Sequence, residues 1–365
     1  MKQTYSYKEF FKNLYKNTTQ AYAFCARTPE EADAWKENFR YAIRQTLGIA
    51  ELERLFPQYQ SGADNAVTLA DTVKEEGYTR RKYILETLPG VHMPFYMLVP
   101  DKVSAQNQGK GMIAIPAHGA NKEVVAGVPA NKEVIDKLQR TPKEAYGLSF
   151  VQKGYVVFCP DPPGYGERME PITGEESGFT PDFKQDPLGS SCRNLALTAE
   201  ALGLSLMGLE IWDLLRLLDF AAKCPEVNRE KIGCAGFSGG GQYTMWLAAL
   251  DERIKAAVVS GYVHGYFDSI LDVHLCSCNY APGLWKLGDI SDFCSLIAPR
   301  PLFVENGTCD PENGYRGIDG PKEQAEKIRQ AYRLYGKEEN LRHVTPEGTH
   351  MWYGECFEFV EEALG

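Results

Sequence analysis

The chain has 365 residues, a net charge of −10, and 44% hydrophobic and 12% aromatic residues. That is enough apolar material for a sizeable core, in one large domain with an appendage or in two small ones. The acidic balance, with no basic block anywhere, argues against nucleic acid or an anionic membrane as a partner. No apolar run reaches the length of a membrane span. Met1–Phe10 lacks the apolar stretch of a signal peptide. A cytoplasmic protein whose ten cysteines are reduced is therefore expected.

The first elements read as helices. Ser6-x-x-Glu9 and Thr28-Pro29-x-Glu31 have the form of capping boxes, the second with proline at the first helical position. Phe10, Phe11, Leu14 and Tyr15 make one apolar stripe. Trp35, Phe39, Ile43 and Leu47 make another, which stops at Gly48. Residues 1–75 are expected to be a helical extension, serving as a cap over a site, a dimer surface or a brace on the sheet edge.

From Tyr78 the period changes. Tyr83, Leu85 and Pro94–Pro100 read as two antiparallel strands around the turn Pro89-Gly90. Apolar runs then alternate with helices. Strands are expected at 111–116, 155–159, 232–236, 256–260, 301–304 and 341–344, with helices near 131–150 and across about 195–222. Continuous apolar runs alternating with helices predict an α/β fold over 76–365, a mostly parallel sheet covered on both faces. On such sheets ligands bind beyond the carboxyl ends of the strands.

At one such end stands Gly236-Phe-Ser238-Gly-Gly240, between an apolar strand and a helix. This G-x-S-x-G pattern predicts a nucleophile elbow, which lifts the serine hydroxyl above the sheet on a strained backbone. Gly236 and Gly240 stand where a Cβ would collide with strand or helix. A serine nucleophile needs a base, and the base an orienting acid, arriving later in the chain. Asp310, several residues past strand 301–304, is the favoured acid, with Glu305 as its alternative. Of the six histidines, only His350 follows both the acid and the final strand, so it is the expected base. His343 lies inside that strand and reads as a packed residue. The oxyanion donors are expected to be the N–H groups of Gly239 and, from the loop Ala117–Asn121, Ala120.

Two segments are expected to line the pocket. Asp161–Arg168 offers Tyr165 to the acyl group, with Glu167 and Arg168 pinning the loop as an ion pair. Gly261–Tyr280 offers His264 and His274. His274-x-Cys276-x-Cys278 invites a zinc reading. Ligands at i, i+2 and i+4 crowd a regular backbone, and no partner pair at metal-ligand spacing stands elsewhere, so no metal and no cofactor are expected.

With these residues in place the chain resembles the alpha/beta-hydrolase superfamily, in the branch grouped with dienelactone hydrolases and acetyl xylan esterases. The resemblance runs from about residue 76 to the end. It rests on His118-Gly119, Pro163–Arg168, Ile232–Gly241, Ala249–Gly261, Ile297–Leu302 and Glu347–His350. It implies an alpha/beta-hydrolase fold and a carboxylesterase, often one that deacetylates sugars or small esters, with its triad on Ser238, Asp310 and His350. Dienelactone hydrolases carry cysteine where this chain has Ser238, which disfavours that activity. Many xylan esterases are exported, so an oligosaccharide or metabolite ester inside the cell is the expected substrate rather than polymeric xylan. The rivals are an amidase or peptidase on the same triad, and a binding protein in which Asp310 or His350 stands out of hydrogen-bonding reach. Association into a homo-oligomer is left open.

Overall fold

The computed structural model describes residues 5–170 and 188–365. Nine strands form one sheet in the order β1-β2-β3-β5-β4-β6-β7-β8-β9. These are β1 (Val67–Glu75), β2 (Tyr78–Leu88), β3 (Val91–Pro100), β4 (Gly109–Ile115), β5 (Val156–Pro160), β6 (Val227–Phe237), β7 (Ile254–Ser260), β8 (Leu302–Glu305) and β9 (Leu341–Val344). β1, β2 and β3 pair antiparallel, as do β3 and β5, and β5 through β9 pair parallel.

The parallel strands other than the edge strand β9 are mostly buried, and their side chains alternate between two cores. Ile113, Ile115, Cys234, Ala257 and Val259 face one core. Met112, Ala114, Ala235, Ala256 and Val258 face the other. The first is closed by helices that include Trp212 and Leu215, Tyr243 and Met245, and Ile328. The second is closed by Phe150 and by Phe359 and Val360 of the last helix.

The N-terminal stretch differs in part from the expected helical extension. Helices α1 (Lys8–Asn17), α2 (Pro29–Thr46) and α3 (Ile49–Leu55) are present, but Val67–Glu75 is β1, paired along its length with β2. Its residues are mostly exposed, so they carry little of the apolar periodicity that marks a buried strand. Thr28 caps α2 by accepting from the Glu31 N–H, and Gly48 (φ 81°) ends its last turn. α1 starts at Lys8, whose N–H donates to Ser6 Oγ at 3.2 Å. Phe39 on α2 is fully buried between Tyr22, Trp35 and Phe293, with ring centroids 4.9, 5.2 and 5.4 Å away. Arg40 donates to the carbonyls of Ala249 and Leu296. The helix thus lies as a brace along the body of the fold.

Further along are α4 (Lys122–Ala126), α5 (Lys132–Arg140), α6 (Tyr146–Gln152), α7 (Cys192–Ala201), α8 (Leu206–Lys223), α9 (Gly239–Leu250), α10 (Ile290–Ser295), α11 (Asp319–Leu334) and α12 (Phe357–Leu364). Two expected helices are each broken. The 131–150 helix is interrupted at Thr141-Pro142, where proline removes a donor. The 195–222 helix is interrupted at Gly203 (φ 78°), after which Ser205 caps α8 by accepting from the Gly208 N–H at 3.0 Å.

Candidate active site

The carboxyl ends of β4 through β9 all open on one rim of the sheet, and the chemistry-bearing loops gather there. Ser238 sits between β6 and α9 at φ 54°, ψ −119°, one of two non-glycine residues with positive φ among the described residues. Its N–H donates to the Ser260 carbonyl at 2.9 Å, which ties the turn to β7. The flanking glycines are sterically required. A Cβ on Gly236 would meet Gly240 O at 2.2 Å, and one on Gly240 would meet Ile115 O at 2.1 Å. Gly239 opens α9, so its N–H has no acceptor within the helix and points with the helix dipole toward the rim.

Asp310 and His350 come from loops after β8 and β9. Asp310 is buried, and its Oδ2 stands 2.7 Å from His350 Nδ1. Asp310 Oδ1 accepts the Glu312 N–H at 2.8 Å, which fixes the carboxylate plane. The imidazole lies over the elbow. Its ring centroid is 4.6 Å from that of Phe237, and a Cβ on Gly261 would approach His350 Cε1 to 3.3 Å. Nε2 is buried, without a hydrogen-bond partner among the described residues. Burial pulls the His350 pKa down, but the hydrogen bond that Nδ1 donates to Asp310 and the nearby Glu312 and Asp310 charges outweigh it. The net shift is upward from 6.5. Glu305, the alternative acid, is engaged elsewhere: Oε1 accepts from Ser260 Oγ at 2.7 Å and from the Tyr353 N–H at 3.0 Å.

The structure brings one residue to this pair that the sequence reading passed over. Glu312 Oε1 lies 3.5 Å from His350 Nε2, and burial raises its own carboxyl pKa against the lowering effect of His350. Its position two residues after Asp310 was the available signal, but only the loop's turn aims it back at the imidazole.

Several expected pocket residues take other parts. The Ala120 N–H, the expected second oxyanion donor, donates to the Ala117 carbonyl at 3.1 Å and closes a turn. Tyr165 is fully buried beside the elbow, its hydroxyl 3.4 Å from that of Tyr243. His264 is buried against Tyr262, and burial drives its pKa down to about 3, so it is a neutral packed ring. His274 is exposed and lines a groove with Tyr15, Leu271 and Trp285 against α1. Glu167 and Arg168 do pin their loop, though not to each other: Glu167 pairs with Lys82 and Lys122, and Arg168 with Asp213.

Beneath the His118 loop is a buried ionic knot. Lys122 is wholly buried, with its ammonium 2.7 Å from Asp161 Oδ2 and 2.8 Å from Glu123 Oε1, while its N–H donates to Asp161 Oδ1 at 2.8 Å. This knot ties the loop after β4 to the loop after β5. Nearby, four side chains that could hold a metal converge: His118, Cys192, Cys276 and Cys278, their ligand atoms all within 4.8 Å of one another. His274 is not among them.

The comparisons with known proteins agree with this architecture. A model described as the Abhydrolase family matches residues 3–268, a span that holds Ser238 and ends before Asp310 and His350. The Bacillus subtilis (strain 168) protein named "Putative hydrolase YtaP" is 28% identical over 201 residues, which are 51% of this chain and 57% of that protein. The chain thus aligns with little more than half the length of that relative. Among solved structures, one described as a "putative acetyl xylan esterase" from Bacteroides fragilis superposes with TM-score 0.74 at 21% identity, over 94% of this chain and 83% of that one. Methylesterase BT1017 gives 0.65 at 22%, over 92% and 64%, and a glucuronoyl esterase from Solibacter usitatus gives 0.60 at 14%, over 82% and 85%. These likenesses establish a shared alpha/beta-hydrolase fold. With the family model covering most of its length and the elbow in the form that fold requires, the chain belongs to the Abhydrolase family.

Proposed function

We propose that the protein is a serine carboxylesterase acting on short-chain esters, chiefly acetyl esters, of a small molecule or sugar. The observation that carries this reading is the Asp310–His350 hydrogen bond of 2.7 Å, with the second ring nitrogen buried above the elbow that displays Ser238 and without a hydrogen bond among the described residues. Ser238 Oγ attacks the ester carbonyl while His350 Nε2 takes its proton. Asp310 holds the imidazolium in place. The Gly239 N–H receives the oxyanion, aided by the α9 dipole. His350 then protonates the departing alkoxide and afterwards takes a proton from water, which releases the acid from the acyl-enzyme.

The ester reading is supported by the relatives' names, which are those of an acetyl xylan esterase, a methylesterase and a glucuronoyl esterase. Tyr165 and His118 wall the space beside Gly239, consistent with a small acyl group. The test is Ser238→Ala assayed on p-nitrophenyl acetate, with fluorophosphonate labelling alongside. Turnover and labelling should both vanish while the circular dichroism is kept. Unchanged turnover in a folded variant would remove Ser238 from the reaction. A parallel series of acyl lengths should fall steeply beyond the shortest members.

A further inference from the structure

We infer that His118, Cys192, Cys276 and Cys278 form a binding site for a thiophilic divalent ion, zinc by its donor set, built beside the Ser238 elbow. This goes beyond the esterase reading and does not rest on it.

The donor atoms lie close to the spacing that a four-coordinate ion requires. Four-coordinate zinc with Zn–S near 2.3 Å and Zn–N near 2.1 Å holds its donors about 3.6–3.8 Å apart. Here Cys278 Sγ is 3.3 Å and Cys192 Sγ 4.0 Å from His118 Nε2, and all four donor atoms fall within 4.8 Å. Three sulfurs and one imidazole nitrogen are a zinc donor set, whereas calcium and magnesium take oxygen. Cys192 and Cys278 are buried, and His118 and Cys276 half-buried, so the ion would be shielded from solvent. His118 Nε2 meets the sulfurs of Cys192 and Cys278. Thiols are weak hydrogen-bond partners for an imidazole, and an ion satisfies the whole group at once. All ten cysteines are free, so no disulfide competes for these sulfurs in this structure.

The donors come from three places in the chain: the loop after β4, the first turn of α7, and the loop that follows the π-helical turn Phe267–His274. Four protein ligands leave no open position, which makes the ion a clamp rather than a Lewis acid for the ester. Its place gives the clamp a consequence. A Cβ on Gly239 would sit 2.6 Å from His118 Nδ1 and 3.4 Å from the Tyr165 hydroxyl, so the ring held by the ion packs on the residue next to Ser238. The ion would fix His118, and through it the position of the ring packed on Gly239. The balance is one Zn²⁺ and three thiols giving three zinc–thiolate bonds and one zinc–imidazole bond, with three protons released to buffer.

The test uses the full-length protein and the metal alone. Protein purified without chelator should carry about one zinc per chain by mass spectrometric elemental analysis. After stripping under reducing conditions, Co²⁺ should restore one equivalent, with thiolate-to-cobalt charge transfer and the visible bands of a tetrahedral centre. Cys278→Ser and the milder, half-buried Cys276→Ser should lose stoichiometric binding. His274→Ala and Ser238→Ala should retain it. Because Ser238→Ala abolishes the proposed hydrolysis but not binding, failure of the metal site and failure of the esterase reading are separable. Retained full binding in folded Cys278→Ser and Cys276→Ser variants would overturn the site. So would three freely reactive thiols at Cys192, Cys276 and Cys278 with no bound Zn²⁺ or Co²⁺, or a disulfide among these cysteines in native protein.

Discussion

Asp310 divides its carboxylate between two neighbours: Oδ2 meets His350 Nδ1 at 2.7 Å, and Oδ1 accepts the N–H of Glu312 at 2.8 Å. The second bond turns the Glu312 side chain back to within 3.5 Å of His350 Nε2. The imidazole is thus held between two acids, one on each ring nitrogen, and the site's proton chemistry follows from that placement.

The His350 pKa is raised above 6.5, burial being outweighed by the Asp310 hydrogen bond and the Glu312 charge. A general base works only when neutral, so activity should fall as pH drops through that raised pKa. The acid limb of kcat/KM should have its midpoint above about 6.5. Glu312→Gln removes one stabilising charge and should move the midpoint to lower pH with the plateau of kcat largely kept. Asp310→Asn should also lower the midpoint but reduce kcat by about 10⁴-fold, since the ring loses its orienting acid. A pH–rate profile of each variant checks both.

Lys122 is buried against Asp161 and Glu123. Lys122→Met would leave those carboxylates without their cation, and breaking a buried pair in this way costs about 3–5 kcal/mol. The variant should melt well below the parent, and what remains folded should turn over substrate poorly because the loops after β4 and β5 are no longer tied. Denaturant unfolding and kcat/KM on the same preparation measure the two effects.

His264 is fully buried, with burial depressing its pKa from 6.5 to about 3. Between those values the unfolded chain binds a proton that the folded protein does not. Stability should therefore rise with pH across that window and be lost as pH falls from 6.5 toward 3, by up to about 1.4 kcal/mol per unit from this ring. His264→Phe should flatten the acid side of the stability curve. Chemical denaturation at pH 7, 6 and 5 is the measurement, and an unchanged slope would remove His264 as the cause.

Phe39 fills the space between Tyr22, Trp35 and Phe293. Phe39→Ala removes a fully buried ring and should cost about 3–5 kcal/mol. If α2 braces the fold as the packing indicates, unfolding should remain a single transition at a lower midpoint. A separate early transition for the N-terminal helices would mean that they are an independent unit.

The alternation of apolar runs with helices, the strained turn at Ser238 and the placing of Asp310 and His350 after later strands were all legible in the linear chain. Each depends on short-range chemistry: strand periodicity, two glycines where a Cβ would strike Gly240 O or Ile115 O, and residues that must follow a strand end. β1 was not legible, because its side chains are mostly exposed and show no buried face. Nor was the turn that engages the Ala120 N–H, since one backbone hydrogen bond leaves no trace in side-chain pattern. The meeting of His118 with Cys192 and Cys278 spans 74 and 160 residues and has no local spacing to betray it. Sequence alone determined which groups are chemically able. Tertiary structure decided which of them meet, because the loops that carry them are aimed by packing, and packing belongs to no single stretch of chain.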